Sequence, residues 1–164
     1  MSAPDLQGRT ARVVTASTRA AHGVYPDRGG SLIVTTLREW GIEVPDATVV
    51  PDGPAVAEAL AAALADDVDL LLTTGGTGLT PTDGTPEATR PLLTREVPGI
   101  AEAIRLQGVS GGIPTAALSR GLAGMAGRTL VVNLPGSTGG VRDGLAVLSG
   151  LLTHALSQAE GGDH

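Results

Sequence analysis

The segment Val68–Thr74, with the sequence VDLLLTT, constrains the fold more than any other part of this chain. It is almost continuously apolar, and a short apolar run that ends at a glycine-rich turn is typical of a strand covered on both faces. Such a strand needs helices above and below its sheet. The segment therefore predicts the central strand of an α/β fold.

The rest of the chain alternates between strand and helix signals. Apolar and β-branched runs predict further strands over 12–17, 42–50 and 130–134. Apolar spacing, composition and Pro or Gly boundaries predict helices over 31–40, 55–65, 86–93, 100–107 and 141–158, the last interrupted near Gly150. Strands that alternate with helices predict a doubly wound sheet. We expect one domain over 9–158, between flexible tails over 1–8 and 159–164.

The residue types present exclude several kinds of chemistry. The 164 residues include no Cys and no Lys, and all eleven basic residues are Arg. The chain therefore has no disulfide, no thiolate nucleophile, no Schiff-base lysine and no P-loop lysine. Its net charge of −6 argues against a nucleic-acid partner. An anionic ligand would have to be held by Arg, by backbone N–H groups or through a divalent metal ion.

The hydropathy pattern argues against a membrane partner. No apolar run reaches the roughly 18 residues that are needed to cross a bilayer. The segment 1–8 is polar and lacks the apolar centre of a signal peptide. We therefore expect a cytoplasmic protein.

Four loops follow predicted strands, over 18–30, 51–54, 75–83 and 135–140. Ligands of open α/β sheets bind at the carboxyl ends of the strands. In the third loop, glycines and threonines at Gly75, Gly76, Thr77 and Gly78 could expose backbone N–H groups to a phosphate. The same pattern also occurs in simple turns, and it matches neither a P-loop nor a dinucleotide fingerprint.

Two carboxylates follow strands in the same way. Asp83 closes the glycine-rich loop, and Asp52 lies in the turn PDGP. A carboxylate beside a phosphate repels it unless a cation lies between them, and Mg²⁺ is the natural cation. Either residue could instead be a turn former, and Asp83 could cap a helix.

Two further groups could bind an anion. Pro135, Gly136, Ser137 and Thr138 join a strand to a helix, whose first N–H groups can hold an anion; a capped glycine-rich connection is the alternative. Ser119-Arg120 supplies a guanidinium that suits a phosphate, although a single Arg is more often a surface residue.

Together these loops resemble the molybdopterin-binding Mog/MoaB family. The resemblance extends over about 10–150, in the family's order, and lies in the runs TASTRAAHGVYPDRGG (15–30), VVPDG (49–53), TTGGTGLTPTDGTPEAT (73–89), PGIAEAIR (98–105), PTAALSRG (114–121) and LVVNLPGS (130–137). It implies a three-layer α/β/α domain with a mostly parallel sheet, usually trimeric. It also implies a molybdopterin adenylyltransferase, which transfers AMP from Mg-ATP to the phosphate of molybdopterin, releases pyrophosphate and supplies a molybdenum-insertion enzyme.

The resemblance assigns roles to the candidate residues. The family's two important carboxylates match Asp52 and Asp83, which would hold Mg²⁺ or position the nucleotide. The glycine-rich loop over 75–78 would hold phosphate, and the pterin contacts match Ser119, Arg120 and the segment Pro135–Thr138.

Two departures bear on activity. Thr18 stands where many members have Asp, and Thr82 stands where many have Arg, so a possible phosphate contact is lost. The main alternative is a non-catalytic molybdopterin-binding paralogue or carrier of the same fold. A detached relative of the metal-insertion domain and a scaffold trimer are two further alternatives.

Overall fold

One six-stranded sheet forms the centre of the molecule in a computed structural model, which describes residues 2–162. The strands are β1 (Ala11–Ala16), β2 (Thr48–Val50), β3 (Leu70–Thr74), β4 (Arg95–Glu96), β5 (Ala123–Ala126) and β6 (Thr129–Leu134). Their order across the sheet is β2-β1-β3-β6-β5-β4. The first four in this order are parallel to one another, whereas β5 runs antiparallel to β6 and β4 antiparallel to β5.

Helices cover both faces of this sheet. They are α1 (Thr18–Ala21), α2 (Arg28–Glu39), α3 (Pro54–Ala65), α4 (Thr85–Thr89), α5 (Pro98–Ser110), α6 (Thr138–Ser149) and α7 (Leu152–Ala159). Two 3₁₀ turns lie over Arg90–Leu92 and Pro114–Leu118. Apolar residues of α2, α5, α6 and α7 pack on one face, and those of α3 pack on the other. The expected three-layer α/β/α fold with a mostly parallel sheet is confirmed.

The central strand is buried on both faces, as its sequence predicts. Leu70, Leu71 and Leu72 are each 0% exposed. Leu70 and Leu72 pack in the core beneath α2 and α6, while Leu71 packs in the opposite core beneath α3. The alternation follows from the two-residue period of a strand, so one apolar run supplies both cores.

The predicted loop over 18–30 contains helical structure. The hydroxyl of Ser17 accepts a hydrogen bond from the N–H of Ala20 and starts α1. The carboxylate of Asp27 accepts one from Gly30 and starts α2 at Arg28, three residues before the predicted helix. Side-chain caps therefore place two helix starts inside a segment whose Gly and Pro content predicts only a loop.

Other boundaries also differ from prediction. The strand predicted over 42–50 is reduced to Thr48–Val50, because Pro45 lacks the N–H that a ladder requires. The helix predicted over 86–93 ends at Thr89 and continues as a 3₁₀ turn, because Pro91 cannot donate to Glu87. Strands β4 and β5 were not predicted. The predicted interruption near Gly150 is confirmed, since it separates α6 from α7.

Residues near both ends of the chain bear on the tails that the sequence predicts. Leu6 is buried at 3% exposure, and its N–H donates to the carbonyl of Trp40 at 2.8 Å. Met1, Asp163 and His164, which belong to the expected tails, lie outside the described residues. Domain limits at 9 and 158 stay a prediction. Within residues 2–162, none of the helices has the length and apolar character to cross a bilayer.

Candidate functional site

Two cavities lie side by side at the carboxyl ends of the parallel strands. The first cavity, of about 930 Å³, is lined by the loops that follow β1, β2, β3 and β6. The second cavity, of about 720 Å³, is lined by the loops after β3 and β6, by the 3₁₀ turn before β5 and by the start of α6. Gly76, Asp83 and Gly136 line both cavities and form what we call the shared wall.

The sequence-predicted residues divide between these cavities. Asp52, Gly75 and Thr138 line the first, and Thr77, Gly78, Ser119, Pro135 and Ser137 line the second. The loops that follow separate strands thus meet at one edge of the sheet, as the sequence predicts. Arg120 is the one predicted site residue that lines neither cavity.

The glycine-rich loop requires its glycines. Gly75 and Gly76 have backbone φ angles of +88° and +68°, which residues other than glycine rarely adopt. A Cβ at Gly75 would lie 2.2 Å from the carbonyl oxygen of Ala16, and one at Gly76 would lie 2.2 Å from the hydroxyl of Thr85. The loop is therefore pressed between the end of β1 and the start of α4.

The carbonyl groups of Gly76, Thr77 and Gly78 all accept hydrogen bonds from the protein. The oxygen of Gly76 accepts from the N–H of Thr85 at 3.0 Å, that of Thr77 from the N–H of Arg120 at 2.8 Å, and that of Gly78 from Arg120 Nε at 2.9 Å. Their peptide bonds are trans, so the N–H of the following residue points the opposite way. No acceptor within residues 2–162 takes the N–H groups of Gly76, Thr77 and Gly78. Such a row of free N–H groups is suited to an anion.

Asp83 holds the turn that ends the loop. Its Oδ2 accepts from the N–H of Thr80 at 3.1 Å, and its own N–H donates to the carbonyl of Thr80 at 3.0 Å. Gly84 occupies the N-cap position of α4, which has no side-chain cap, so the Asp83 carboxylate does not cap the helix. Its Oδ1 accepts no hydrogen bond from the described residues and remains available at the shared wall.

Asp52 is held by Thr18. Its Oδ2 accepts from the N–H of Thr18 at 3.3 Å and from the Thr18 hydroxyl at 3.1 Å, and its own N–H donates to that hydroxyl at 3.1 Å. Its Oδ1 faces the loop, 3.4 Å from where a Cβ at Gly76 would lie. Thr18 thus donates two hydrogen bonds to Asp52. An Asp at position 18 would instead bring a second negative charge beside Asp52.

The carboxylates of Asp52 and Asp83 suit a metal ion that is bound partly by the protein and partly by its ligand. Nowhere within residues 2–162 do three His, Cys, Asp or Glu side chains gather as a metal-binding group. Asp52 and Asp83 each keep one oxygen without a donor from the described chain, and both line the first cavity. Mg²⁺ commonly takes one or two carboxylates and completes its coordination with phosphate oxygens and water. The site fits a magnesium ion that arrives with a phosphate ligand.

Arg120 lies behind the loop rather than in a cavity. Its Nε donates to the carbonyl of Gly78 at 2.9 Å, its Nη2 to the carbonyl of Asp83 at 3.0 Å, and its Nη1 to the carboxylate of Glu87. The hydrogen bond from Arg120 lowers the pKa of Glu87. The guanidinium therefore ties together both ends of the segment 78–83 and the helix that follows.

The remaining predicted residues shape the second cavity. The Ser119 hydroxyl donates to the Thr77 hydroxyl at 3.3 Å, and Arg105 holds the segment from behind through the carbonyls of Ser119 and Gly121. Ser137 accepts from the N–H of Gly140 at 3.0 Å and caps α6. The carbonyl of Pro135 accepts from the Thr74 hydroxyl at 2.7 Å, which joins the loops after β3 and β6.

Sequence analysis did not single out three arginines at these cavities. Arg19 and Arg28 line the first cavity, and Arg142 lines the second. Arg19 and Arg28 lie within the run 15–30 that follows β1, and Arg142 lies in the helix that follows β6. All three follow the ends of strands, and this position could have identified them as candidate site residues from the sequence, because ligands bind at that edge of the sheet.

Comparison with known proteins gives the family of this chain. The model of a family described as a probable molybdopterin binding domain matches residues 12–154. The chain belongs to this molybdopterin-binding family. The chain is 44% identical over 160 residues to a molybdenum cofactor biosynthesis bifunctional protein of Synechococcus elongatus. The aligned region covers 97% of this chain and 50% of that protein.

Shorter relatives and solved structures agree with this assignment. A molybdenum cofactor biosynthesis protein B of Staphylococcus carnosus is 42% identical over 120 residues, which cover 71% of each chain. The Mog protein of Mycobacterium ulcerans is 51% identical with a TM-score of 0.88, over 93% of this chain and 99% of that one. The MoaB of Thermus thermophilus is 45% identical with a TM-score of 0.85, over 93% and 97%. The chain spans about half the length of the bifunctional curated relatives it matches.

Proposed function

We propose that this chain transfers AMP from Mg-ATP to the phosphate of molybdopterin and so acts in molybdenum cofactor biosynthesis. The shared wall carries the proposal. A group transfer between two bound substrates needs two sites that meet at the reacting atoms, and Gly76, Asp83 and Gly136 line both cavities. A protein that only carries a pterin needs one such site.

We assign the nucleotide to the first cavity and the pterin to the second. The first contains both carboxylates with an open oxygen, which suits a metal-bound triphosphate. The second combines apolar groups at Ile113, Ala116 and Leu118 with the hydroxyls of Ser119 and Ser137, which suits a flat ring with polar edges. Both volumes lie within the range of about 300–1,000 Å³ that is usual for ligand sites.

The reaction needs position and charge stabilisation rather than a protein nucleophile. An oxygen of the pterin phosphate attacks the α-phosphorus of ATP, the bond to the bridging oxygen breaks, and pyrophosphate leaves with the electron pair. Magnesium held by Asp52 and Asp83 would supply positive charge to the phosphate oxygens. The free N–H groups in the loop over 75–78, those of Gly76, Thr77 and Gly78, would orient the phosphate chain, and Ser119 with residues 135–138 would orient the pterin.

The family resemblance supports two further parts of the proposal. We propose that the chain works as a homotrimer and that its product, adenylylated molybdopterin, passes to a molybdenum-insertion enzyme. Light scattering at micromolar concentration tests the first part. A mass near one 16.3 kDa subunit would contradict the trimer.

Mass spectrometry of molybdopterin after incubation with the purified chain and Mg-ATP tests the activity itself. We expect the mass of an adenylyl group on molybdopterin and one pyrophosphate for each product molecule. Removal of Mg²⁺ with a chelator is the control and should stop both. Tight binding of molybdopterin with no adenylylated product would instead identify a carrier of the same fold.

A further inference from the structure

The arginines of this chain fall into two groups. Seven of the eleven donate from their side chains to carboxylates or carbonyl groups of the protein. The side chains of the other four, Arg19, Arg28, Arg95 and Arg142, form no hydrogen bond or ion pair within residues 2–162. All four are exposed. Two of them, Arg19 and Arg28, line the first cavity.

The fold holds these two arginines at the first cavity. Arg19 is the second residue of α1, which Ser17 caps directly after β1. Arg28 is the first residue of α2, which Asp27 caps. The start of α2 is packed closely on the sheet, because a Cβ at Gly30 would lie 2.4 Å from the Thr15 hydroxyl. The capped starts of α1 and α2 therefore bring both arginines to the first cavity, beside the end of β1.

The carboxylates of the same cavity leave these arginines unpaired. Both oxygens of Asp27 are already engaged, Oδ1 by the N–H of Gly30 at 3.0 Å and Oδ2 by the hydroxyl of Thr15 at 2.9 Å. Asp52 and Asp83 each engage one oxygen with Thr18 and Thr80 and keep the other open. The first cavity thus offers open carboxylate oxygens and free guanidinium groups at the same time.

A polyphosphate with a bound divalent cation satisfies both kinds of group. The cation meets the open carboxylate oxygens, and phosphate oxygens that do not bind the cation meet the guanidinium groups. A neutral ligand would leave two positive charges in the cavity without a partner. A single phosphate group has too few oxygens to bind a cation and two guanidinium groups at the same time.

We infer that Arg19 and Arg28 bind the β- and γ-phosphates of the nucleotide, the part that leaves as pyrophosphate. This inference rests on the proposed function for the identity of the nucleotide. When the bond between the α-phosphorus and the bridging oxygen breaks, the electron pair moves onto the pyrophosphate. Two guanidinium groups beside it counter the negative charge that develops there.

Binding of inorganic tripolyphosphate with Mg²⁺, measured by calorimetry, tests the inference without any pterin. We expect Arg19→Gln and Arg28→Gln each to weaken tripolyphosphate binding by about tenfold, the usual effect of losing one charged hydrogen bond. Arg95→Gln is the matched control: Arg95 is also exposed and unpaired, but it lines a separate groove beside α7. Arg142→Gln removes an equivalent charge from the second cavity. Both controls should bind like the unaltered chain.

Each result decides the inference. A loss confined to Arg19→Gln and Arg28→Gln supports it. An equal loss in Arg95→Gln would trace the effect to net charge and overturn the inference, as would unaltered binding in all variants or no binding by the unaltered chain. If tripolyphosphate binding depends on the two arginines but no adenylylated molybdopterin forms, the polyphosphate site stands and the proposed adenylyl transfer fails.

Discussion

Arg120 donates a hydrogen bond from Nη2 to the backbone carbonyl oxygen of Asp83 at 3.0 Å. The same guanidinium donates from Nε to the carbonyl of Gly78, so one side chain spans the turn that ends the glycine-rich loop. The carboxylate of Asp83 is presented at the shared wall by a backbone that Arg120 fixes. Arg120 is therefore a positioning residue in the proposed reaction.

Replacement of Arg120 by Lys separates this role from direct binding of a phosphate. Lys keeps the charge but lacks the fork that reaches two carbonyl groups at once. We expect Arg120→Lys to lower AMP transfer nearly as much as Arg120→Gln does, and each to lower stability by about 1 kcal/mol. Faster amide hydrogen exchange over residues 78–83 should accompany the loss. Near-normal turnover and exchange in Arg120→Lys would instead show that only its charge matters.

Thr18 provides a second test of how the site is held. Its hydroxyl and N–H both donate to Oδ2 of Asp52. Thr18→Val removes the hydroxyl and keeps the shape, so Asp52 loses a partner and its orientation. We expect the Mg²⁺ concentration that gives half-maximal AMP transfer to rise about fivefold, which corresponds to about 1 kcal/mol. Thr18→Ser should restore the normal value. An unchanged Mg²⁺ dependence in Thr18→Val would leave Thr18 without a part in the site.

The central strand and the site edge were predictable because their signals are local. Val68–Thr74 carries its own apolar run, and Asp52 and Asp83 follow strands whose carboxyl ends must share one edge. Strands β4 and β5 carry no such signal. They are two and four residues long, and β4 depends on a partner far along the chain, as in the bond from the N–H of Thr94 to the carbonyl of Met125 at 2.7 Å. Strand β5 pairs with β6 directly across the turn at Gly127 and Arg128, but its sequence AGMA is poor in the β-branched and aromatic residues that indicate a strand.

The position of Arg120 was not predictable for the same reason. Its partners Gly78, Asp83 and Glu87 lie 33 to 42 residues away in the sequence. Sequence analysis identifies an Arg next to a cavity-lining Ser119, but only the folded chain shows the direction in which the guanidinium points. The direction decides between contact with a ligand and support of a loop.

The carboxylate of Asp69 links stability to pH. Burial raises its pKa, but the hydrogen bonds from the N–H of Thr10 at 2.8 Å and from Arg128 at 2.8 Å outweigh this effect, so the pKa lies below the ordinary value of 3.8. A group whose pKa is lowered on folding stabilises the protein above its unfolded pKa and loses that effect as the pH falls through its folded pKa. Asp69 therefore stabilises fully well above pH 3.8 and progressively less below it.

Replacement of Asp69 by Asn should show this dependence. We expect Asp69→Asn to lower the free energy of unfolding by about 2 kcal/mol at pH 7, since a hydrogen-bonded charge with 10% side-chain exposure is lost. The difference from the unaltered chain should narrow as the pH is lowered towards 3. Urea unfolding at pH 7, 5 and 3 measures it. Asp46→Asn is the control, because Asp46 forms its ion pair at 94% side-chain exposure and should contribute little at any pH. A constant difference across this range would contradict the assignment.

Replacement of Asp83 tests whether the negative charge at the shared wall takes part in catalysis. Its Oδ1 is open at the wall shared by the two cavities, while its Oδ2 accepts from the N–H of Thr80. Asp83→Asn keeps a side-chain oxygen for Thr80 and removes the negative charge that a metal would use. We expect AMP transfer to fall at least about 100-fold, as when a preorganised electrostatic group is lost.

The binding and stability of Asp83→Asn should change far less than its turnover. Molybdopterin binding should stay the same or tighten, because one negative charge near an anion is removed. The melting temperature should stay within a few degrees, because Gly84 rather than Asp83 holds the N-cap position of α4 and Asn can still accept from Thr80. A loss of pterin binding or of stability equal to the loss of turnover would show that Asp83 maintains the loop. Unaltered turnover would remove Asp83 from the reaction and would show that its negative charge at the shared wall has no catalytic use.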